Sequence, residues 1–118
     1  MQQYAMFFFE TADQRNGRTG PDSPAYWGAW RNYIDAIAQS GIMRGANGLE
    51  PPESATTLRL KGGKPDVQDG PFADVKEQLG GYVVIEVENL DVALKWAARS
   101  PAADGGAVEV RPVLPPPA

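Results

Sequence analysis

Two stretches of this sequence are apolar at both alternating positions, which constrains the fold more than any other feature. In "MFFF" (residues 6–9) and "YVVIEV" (residues 82–87), apolar side chains fall on odd and even positions alike. Successive strand residues point to opposite faces, so a strand with one solvated face alternates apolar with polar. These strands therefore predict a sheet whose two faces are both covered.

The rest of the chain says what can do the covering. "YAMFFFE" (residues 4–10) is an aromatic-rich run bounded by polar residues, as a strand is. "TADQRNGRTGPDS" (residues 11–23) holds nothing apolar enough to pack and predicts a mobile surface loop. Ser23 ahead of Pro24 reads as a helix N-cap with proline at the first helical position, and Trp27, Trp30, Ile34 and Ile37 then form one apolar helical face. Gly41 stands where a left-handed residue ends that helix. "IMRGANGLE" and "ATTLRL", joined through Pro51 and Pro52, predict an antiparallel pair. "LKGGKPD" (residues 60–66) lacks the spacing and the following helix of a phosphate-binding loop and predicts a hairpin end.

After the strand "GYVVIEVEN", Asn89 or Asp91 caps a second helix with Leu90, Leu94 and Ala97 or Ala98 on one face, Trp96 at its edge and Pro101 beyond its end. "GAVEVRPV" is a last strand, in which Glu109 and Arg111 share a face and predict a surface or cross-strand ion pair. Residues 1–113 are expected to form one domain, with "LPPPA" (residues 114–118) as a proline-rich tail.

The element order is that of an α+β sandwich of the split βαβ kind, with both helices on one sheet face. Two helices cover one face only. The other face then belongs to a ligand cavity or to a subunit interface, and an isologous homodimer closing two open sheet faces on each other needs no further sequence.

Composition narrows the function classes. The net charge is −4 with Lys and Arg scattered singly, so no basic stripe offers itself to nucleic acid. No apolar run approaches the ~20 residues that span a bilayer, and the expected location is the cytoplasm. The chain has no cysteine and no histidine. Thiol chemistry, disulfides and imidazole catalysis are thereby excluded, and neither a metal site nor a cofactor is expected.

"DGPFADVKEQLGGYVVIEVENLDVALKWAARSP" followed by "GAVEVRPV" resembles the DGPF family within the YCII-related proteins. The likeness covers residues 43–113 and extends in outline to the first strand and helix. It implies a ferredoxin-like fold that dimerises as an α+β barrel, a bacterial source, and a functional association with an extracytoplasmic-function sigma factor. Related proteins are suspected of acid/base chemistry by a His and Asp pair in a dimer-associated cleft. Here the matching loop has its aspartate, Asp69, and the histidine is missing.

Pro71 fixes its own φ and confines Gly70 to extended backbone, so Asp69 and Phe72 are held at a set separation. In one reading Phe72 plugs the core edge and Asp69 ties down its own turn. In the other, Asp69 is an acid facing a pocket, lined also by Phe72, Lys76 and Glu77. "ADVKEQL" can form one helical turn capped by Asp74, with Glu77 as capping-box partner and Val75 and Leu79 facing inward. Gly80 and Gly81 leave room for close approach of backbone, a ligand or a second subunit. Trp27 and Trp30 fit the core, and either can line a pocket mouth.

Two functions follow. One is a dimeric module that binds a small molecule or a regulatory protein. The other is a small-molecule enzyme using Asp69 with Lys76 or Glu77 for proton transfer, which requires a carboxylate pKa brought near neutrality by its surroundings.

Overall fold

The structure, a computed structural model, describes residues 1–117; Ala118, the last residue of the proline-rich tail, lies outside the described residues. The described residues form six strands: β1 (Gln2–Glu10), β2 (Met43–Gly48), β3 (Thr56–Lys61), β4 (Lys64–Asp69), β5 (Gln78–Val87) and β6 (Ala107–Pro112). Three α-helices accompany them: α1 (Ala12–Asn16), α2 (Ser23–Gln39) and α3 (Leu90–Ala98). Four strands form one antiparallel sheet in the order β2-β5-β1-β6, and β3 and β4 form a separate hairpin. With the hairpin set aside, this is the ferredoxin-like arrangement.

Alternation along the two central strands decides where the core lies. Tyr4, Met6, Phe8 and Glu10 of β1 and Val83, Ile85 and Val87 of β5 are buried on one face. Tyr33 and Ile37 of α2 and Ala93 and Ala97 of α3 join that core, so both helices cover the same face. Tyr33 donates its hydroxyl to the carbonyl of Trp96, bolting α2 to α3 at 3.0 Å. The opposite face carries Ala5, Phe7, Phe9, Tyr82 and Val84 half-buried, with the Phe7 and Tyr82 rings 6.4 Å apart.

The start of α2 differs from the expected one: Asp22, not Ser23, is the N-cap residue, its side chain makes no cap bond, and Ser23 lies inside the helix ahead of Pro24. Two other helix ends obey local rules. Gly41 takes φ +74° just past α2, the left-handed conformation that a side chain resists. Asn89 caps α3, its side-chain oxygen accepting from the backbone N–H of Val92 at 3.0 Å. The core face of α3 differs from the expected one. Ala93 and Ala97 are buried while Leu90 and Leu94 lie near half exposure, so the alanine stripe of α3 faces the core.

Three other expectations are corrected. Residues 11–23 are not an unpacked loop: α1 begins with a reciprocal capping box, in which Thr11 N–H donates to Gln14 and Gln14 N–H to Thr11. Gln14 also donates to the carbonyl of Asp104, anchoring the segment to the turn before β6. "IMRGANGLE" and "ATTLRL" do not pair with each other: β2 pairs with β5, and β3 pairs with β4. The expected hairpin end at residues 60–66 is present, with Gly62 and Gly63 both at positive φ. Finally, residues 71–77 form no helical turn, and Val75 is exposed. Glu109 and Arg111 do form an exposed ion pair on β6.

Candidate functional site

Glu10 is the last residue of β1 and falls on the buried parity of Tyr4, Met6 and Phe8. Its side chain is 2% exposed. A carboxylate so placed is costly unless every oxygen is engaged. Here one oxygen accepts from Arg18 Nη2 at 3.1 Å and the other from the Tyr26 hydroxyl at 2.6 Å. Arg18 Nε donates to the same hydroxyl at 3.1 Å, closing a three-membered ring of glutamate, arginine and tyrosine.

Backbone groups complete the shell. Arg18 Nη2 also donates to Gly80 O at 3.1 Å, and Nη1 to Leu49 O at 2.6 Å. Trp27 Nε1 donates to Arg18 O at 3.0 Å, and the Trp27 ring lies 5.5 Å from the guanidinium carbon. Gly80 makes the arrangement possible. In the β1–β5 ladder Phe8 pairs with Gly81 and Phe9 with Leu79, leaving Gly80 as the extra residue of a bulge. Its carbonyl accepts from Arg18 and from Leu49 N–H, and a Cβ there would stand 2.6 Å from Glu10 Oε1.

Electrostatics follow from this packing. Burial raises the Tyr26 pKa above its ordinary value, the bond to Glu10 raises it further, and Arg18 opposes both. Burial works to lower the pKa of Arg18, but Tyr26 and Glu10 together outweigh it, so the guanidinium holds its proton more firmly than usual. Burial also raises the pKa of Tyr33, in the core beyond.

The polar ring forms one end of a cavity of about 710 Å³ between the start of α2 and the sheet. Its walls are chiefly apolar: Phe8, Trp27, Trp30, Ile34, Ala46 and Val83. The cavity therefore opens on the helix-covered face, not on the far face of the sheet. A smaller recess of about 340 Å³, lined by Pro51, Pro52, Pro71 and Leu79 among others, adjoins it across Leu49 and Glu50.

The candidate residues from the sequence scatter. Trp27 stands on the cavity wall, 45% exposed. Asp69 ends β4 in solvent and lines neither cavity, and no hydrogen bond from its side chain occurs among the described residues. Lys76 is exposed and Glu77 half-buried, both outside the two cavities.

Phe72 does not plug the core: it is 72% exposed, its ring against the guanidinium of Arg59 at 4.8 Å. Asp69 ends the separate β3–β4 hairpin and Phe72 follows it, outside the core of the four-stranded sheet. Gly70 is also not extended, since it turns at φ +98° while its N–H donates to Ala55 O and its own carbonyl accepts from Thr57. The clasp at this point is made by the Gly70 backbone with Ala55 O and the Thr57 hydroxyl, not by Asp69 and Phe72.

A model of the YCII-related domain matches residues 6–116. The chain belongs to the YCII-related family. Among relatives, an uncharacterised protein of Rhizobium meliloti (strain 1021) is 40% identical over 85 residues, which make up 70% of this chain. The aligned part spans 65% of that relative's length. Among solved structures, the fold is similar to that of 5-chloro-2-hydroxyhydroquinone dehydrochlorinase from Burkholderia phenoliruptrix AC1100, in its complex with 2,5-dihydroxybenzoquinone. The TM-score is 0.53 at 13% identity, over 92% of this chain and 90% of that one. At that identity the likeness concerns the fold: an α+β, ferredoxin-like architecture.

Glu10, Arg18 and Tyr26 were not singled out from the sequence. One signal was legible. Glu10 continues the buried parity of its strand, where an acid has no place without a partner, and the Gly80-Gly81 pair marks the room made for it. Arg18, in a segment without apolar residues, gave no comparable signal.

Proposed function

We propose that this YCII-related chain is a small-molecule-binding protein whose ligand lies in the cleft between α2 and the sheet. One observation carries the reading: a cavity of about 710 Å³ with aromatic and aliphatic walls ends in a pre-arranged Glu10–Arg18–Tyr26 ring in which the carboxylate is buried and its two partners are half-buried. Ligand sites are typically concave, mostly apolar, and furnished with a few fixed polar groups, in volumes of roughly 300–1,000 Å³. Phe8, Trp27 and Trp30 favour a flat molecule over a branched one.

Filling the space tests this. Ala46 lines the cleft from β2, and Ala46→Phe should abolish binding of a flat apolar probe such as naphthalene, followed by tryptophan quenching, while the chain stays folded. Undiminished binding by this variant would place the probe elsewhere and defeat the reading.

A proton-transfer enzyme is the second reading, and the 2.6 Å contact between the Tyr26 hydroxyl and Glu10 favours it. On this reading the pair beside the cleft would handle the proton, in place of the solvent-exposed Asp69. We also propose that two copies associate through their open sheet faces, where Phe7, Phe9, Tyr82 and Val84 remain only half-buried.

A further inference from the structure

The ring at the end of the cleft is nearly, but not wholly, saturated. A guanidinium carries five N–H donors. Arg18 uses Nε on Tyr26, both Nη2 hydrogens on Glu10 and Gly80, and one Nη1 hydrogen on Leu49 O. The second Nη1 hydrogen has no acceptor among the described residues. The Arg18 side chain is 12% exposed, and Arg18 lines the cavity. Arg18 therefore keeps one charge-assisted donor beyond those its protein partners use, on a side chain that lines the cleft.

Resting on the binding reading above, we propose that the cleft selects a flat ring compound presenting a single acceptor oxygen, a ring hydroxyl or ring carbonyl, to Arg18 Nη1. It selects against a carboxylate carried on the same ring. The argument is one of donors and charge. Arginine grips a carboxylate with two parallel N–H groups. Nε–H and both Nη2 hydrogens of Arg18 are spent on Tyr26, Glu10 and Gly80, and Nη1 keeps a single hydrogen, so neither edge of the guanidinium offers a free two-hydrogen fork. Charge points the same way. Glu10 already offsets Arg18 at 3.1 Å, and Glu50 at the cleft adds a further acid, so an entering carboxylate meets no net positive field. A neutral hydroxyl or carbonyl needs only the one donor. Trp27, beside the guanidinium at 5.5 Å, offers a face for the ring that carries this oxygen.

Three probes sharing one two-ring body separate the possibilities: β-naphthol, β-naphthoate and naphthalene, titrated against the full chain at neutral pH. The expected result is that β-naphthol binds about tenfold more tightly than β-naphthoate, and no less tightly than naphthalene. Arg18→Lys keeps a cation for Glu10 but loses the planar donor set, and should erase the preference for β-naphthol while naphthalene still binds. Equal or tighter binding of β-naphthoate would overturn the selection against carboxylates. Tighter binding of naphthalene than of β-naphthol would overturn the single-oxygen contact and leave the cleft as a ligand site. If none of the three binds, the flat-ligand reading of the cleft falls, and this inference with it. The comparison of the three probes on the unmodified chain decides the matter even if Arg18→Lys does not fold.

Discussion

Replacing Gly80 with alanine places a methyl group 2.6 Å from Glu10 Oε1 and 2.9 Å from Arg18 Nη2. Ordinary contact begins at 3.4 Å, so the carboxylate must retreat by roughly 0.8 Å. That retreat strains the bonds to Arg18 and Tyr26, which measure 3.1 and 2.6 Å. Overpacking costs ~1–3 kcal/mol, and weakening charge-assisted bonds adds to it. Alanine returns ~0.5–1 kcal/mol relative to glycine within a strand, since Gly80 does not sit at positive φ. The expected net loss is about 2 kcal/mol.

A double-mutant cycle read by urea unfolding isolates the cause. With Glu10→Ala in the background, the methyl group has space and the arginine is free to move, so Gly80→Ala should become neutral or mildly stabilising. The coupling energy is then about 2 kcal/mol. A cost that is the same in both backgrounds, to within ~0.5 kcal/mol, would show that Gly80 does not serve the buried acid. The m-value should stay constant across the cycle, which checks that the unfolded states are comparable.

Other expectations are shorter. Phe72→Ala should change the unfolding free energy by less than ~0.5 kcal/mol, since the ring is largely in solvent; a loss of about 3 kcal/mol would mean that another surface covers it. Asp69→Asn should leave both stability and probe binding in the cleft unaltered, and a tenfold drop in affinity, about 1.4 kcal/mol, would return the tetrapeptide to the site. Stability should fall as pH rises above about 10, because the unfolded chain releases the tyrosine protons before the folded chain does. The folded pKa values of Tyr26 and Tyr33 are raised, so their full contribution is present below that pH and is lost above it. Tyr26→Phe should flatten the decline in unfolding curves taken from neutral to alkaline pH, and an unchanged slope would refute the assignment. Sedimentation should show a dimer at micromolar concentration, and Val84→Glu, on the open sheet face, should yield monomers; a monomeric unmodified chain would reject the sheet-to-sheet association.

The sequence by itself determined the elements whose signals are local. The apolar spacing of α2, the left-handed Gly41 and the Asn89 cap each act within a few residues, and each stands in the structure where its chemistry placed it. The apolar runs of β1 and β5 likewise marked them as strands, and the structure places these two at the centre of the sheet. Strand partners were another matter. β2 and β3 are neighbours in sequence, yet β2 pairs with β5 across the chain, and an inserted hairpin carries Asp69 and Phe72 into solvent. The leucines of α3 met a similar fate, since which stripe of a short helix turns to the core is set by how the helix docks, and here Ala93 and Ala97 are buried in place of Leu90 and Leu94. The candidate site lies entirely on this second level. Glu10 closes β1, Arg18 follows α1, Tyr26 belongs to α2 and Gly80 to β5, and no local pattern links them. They meet because the β1–β5 register places a bulge beside a buried carboxylate, and that carboxylate, once removed from water, must recruit an arginine and a hydroxyl from wherever the fold brings them.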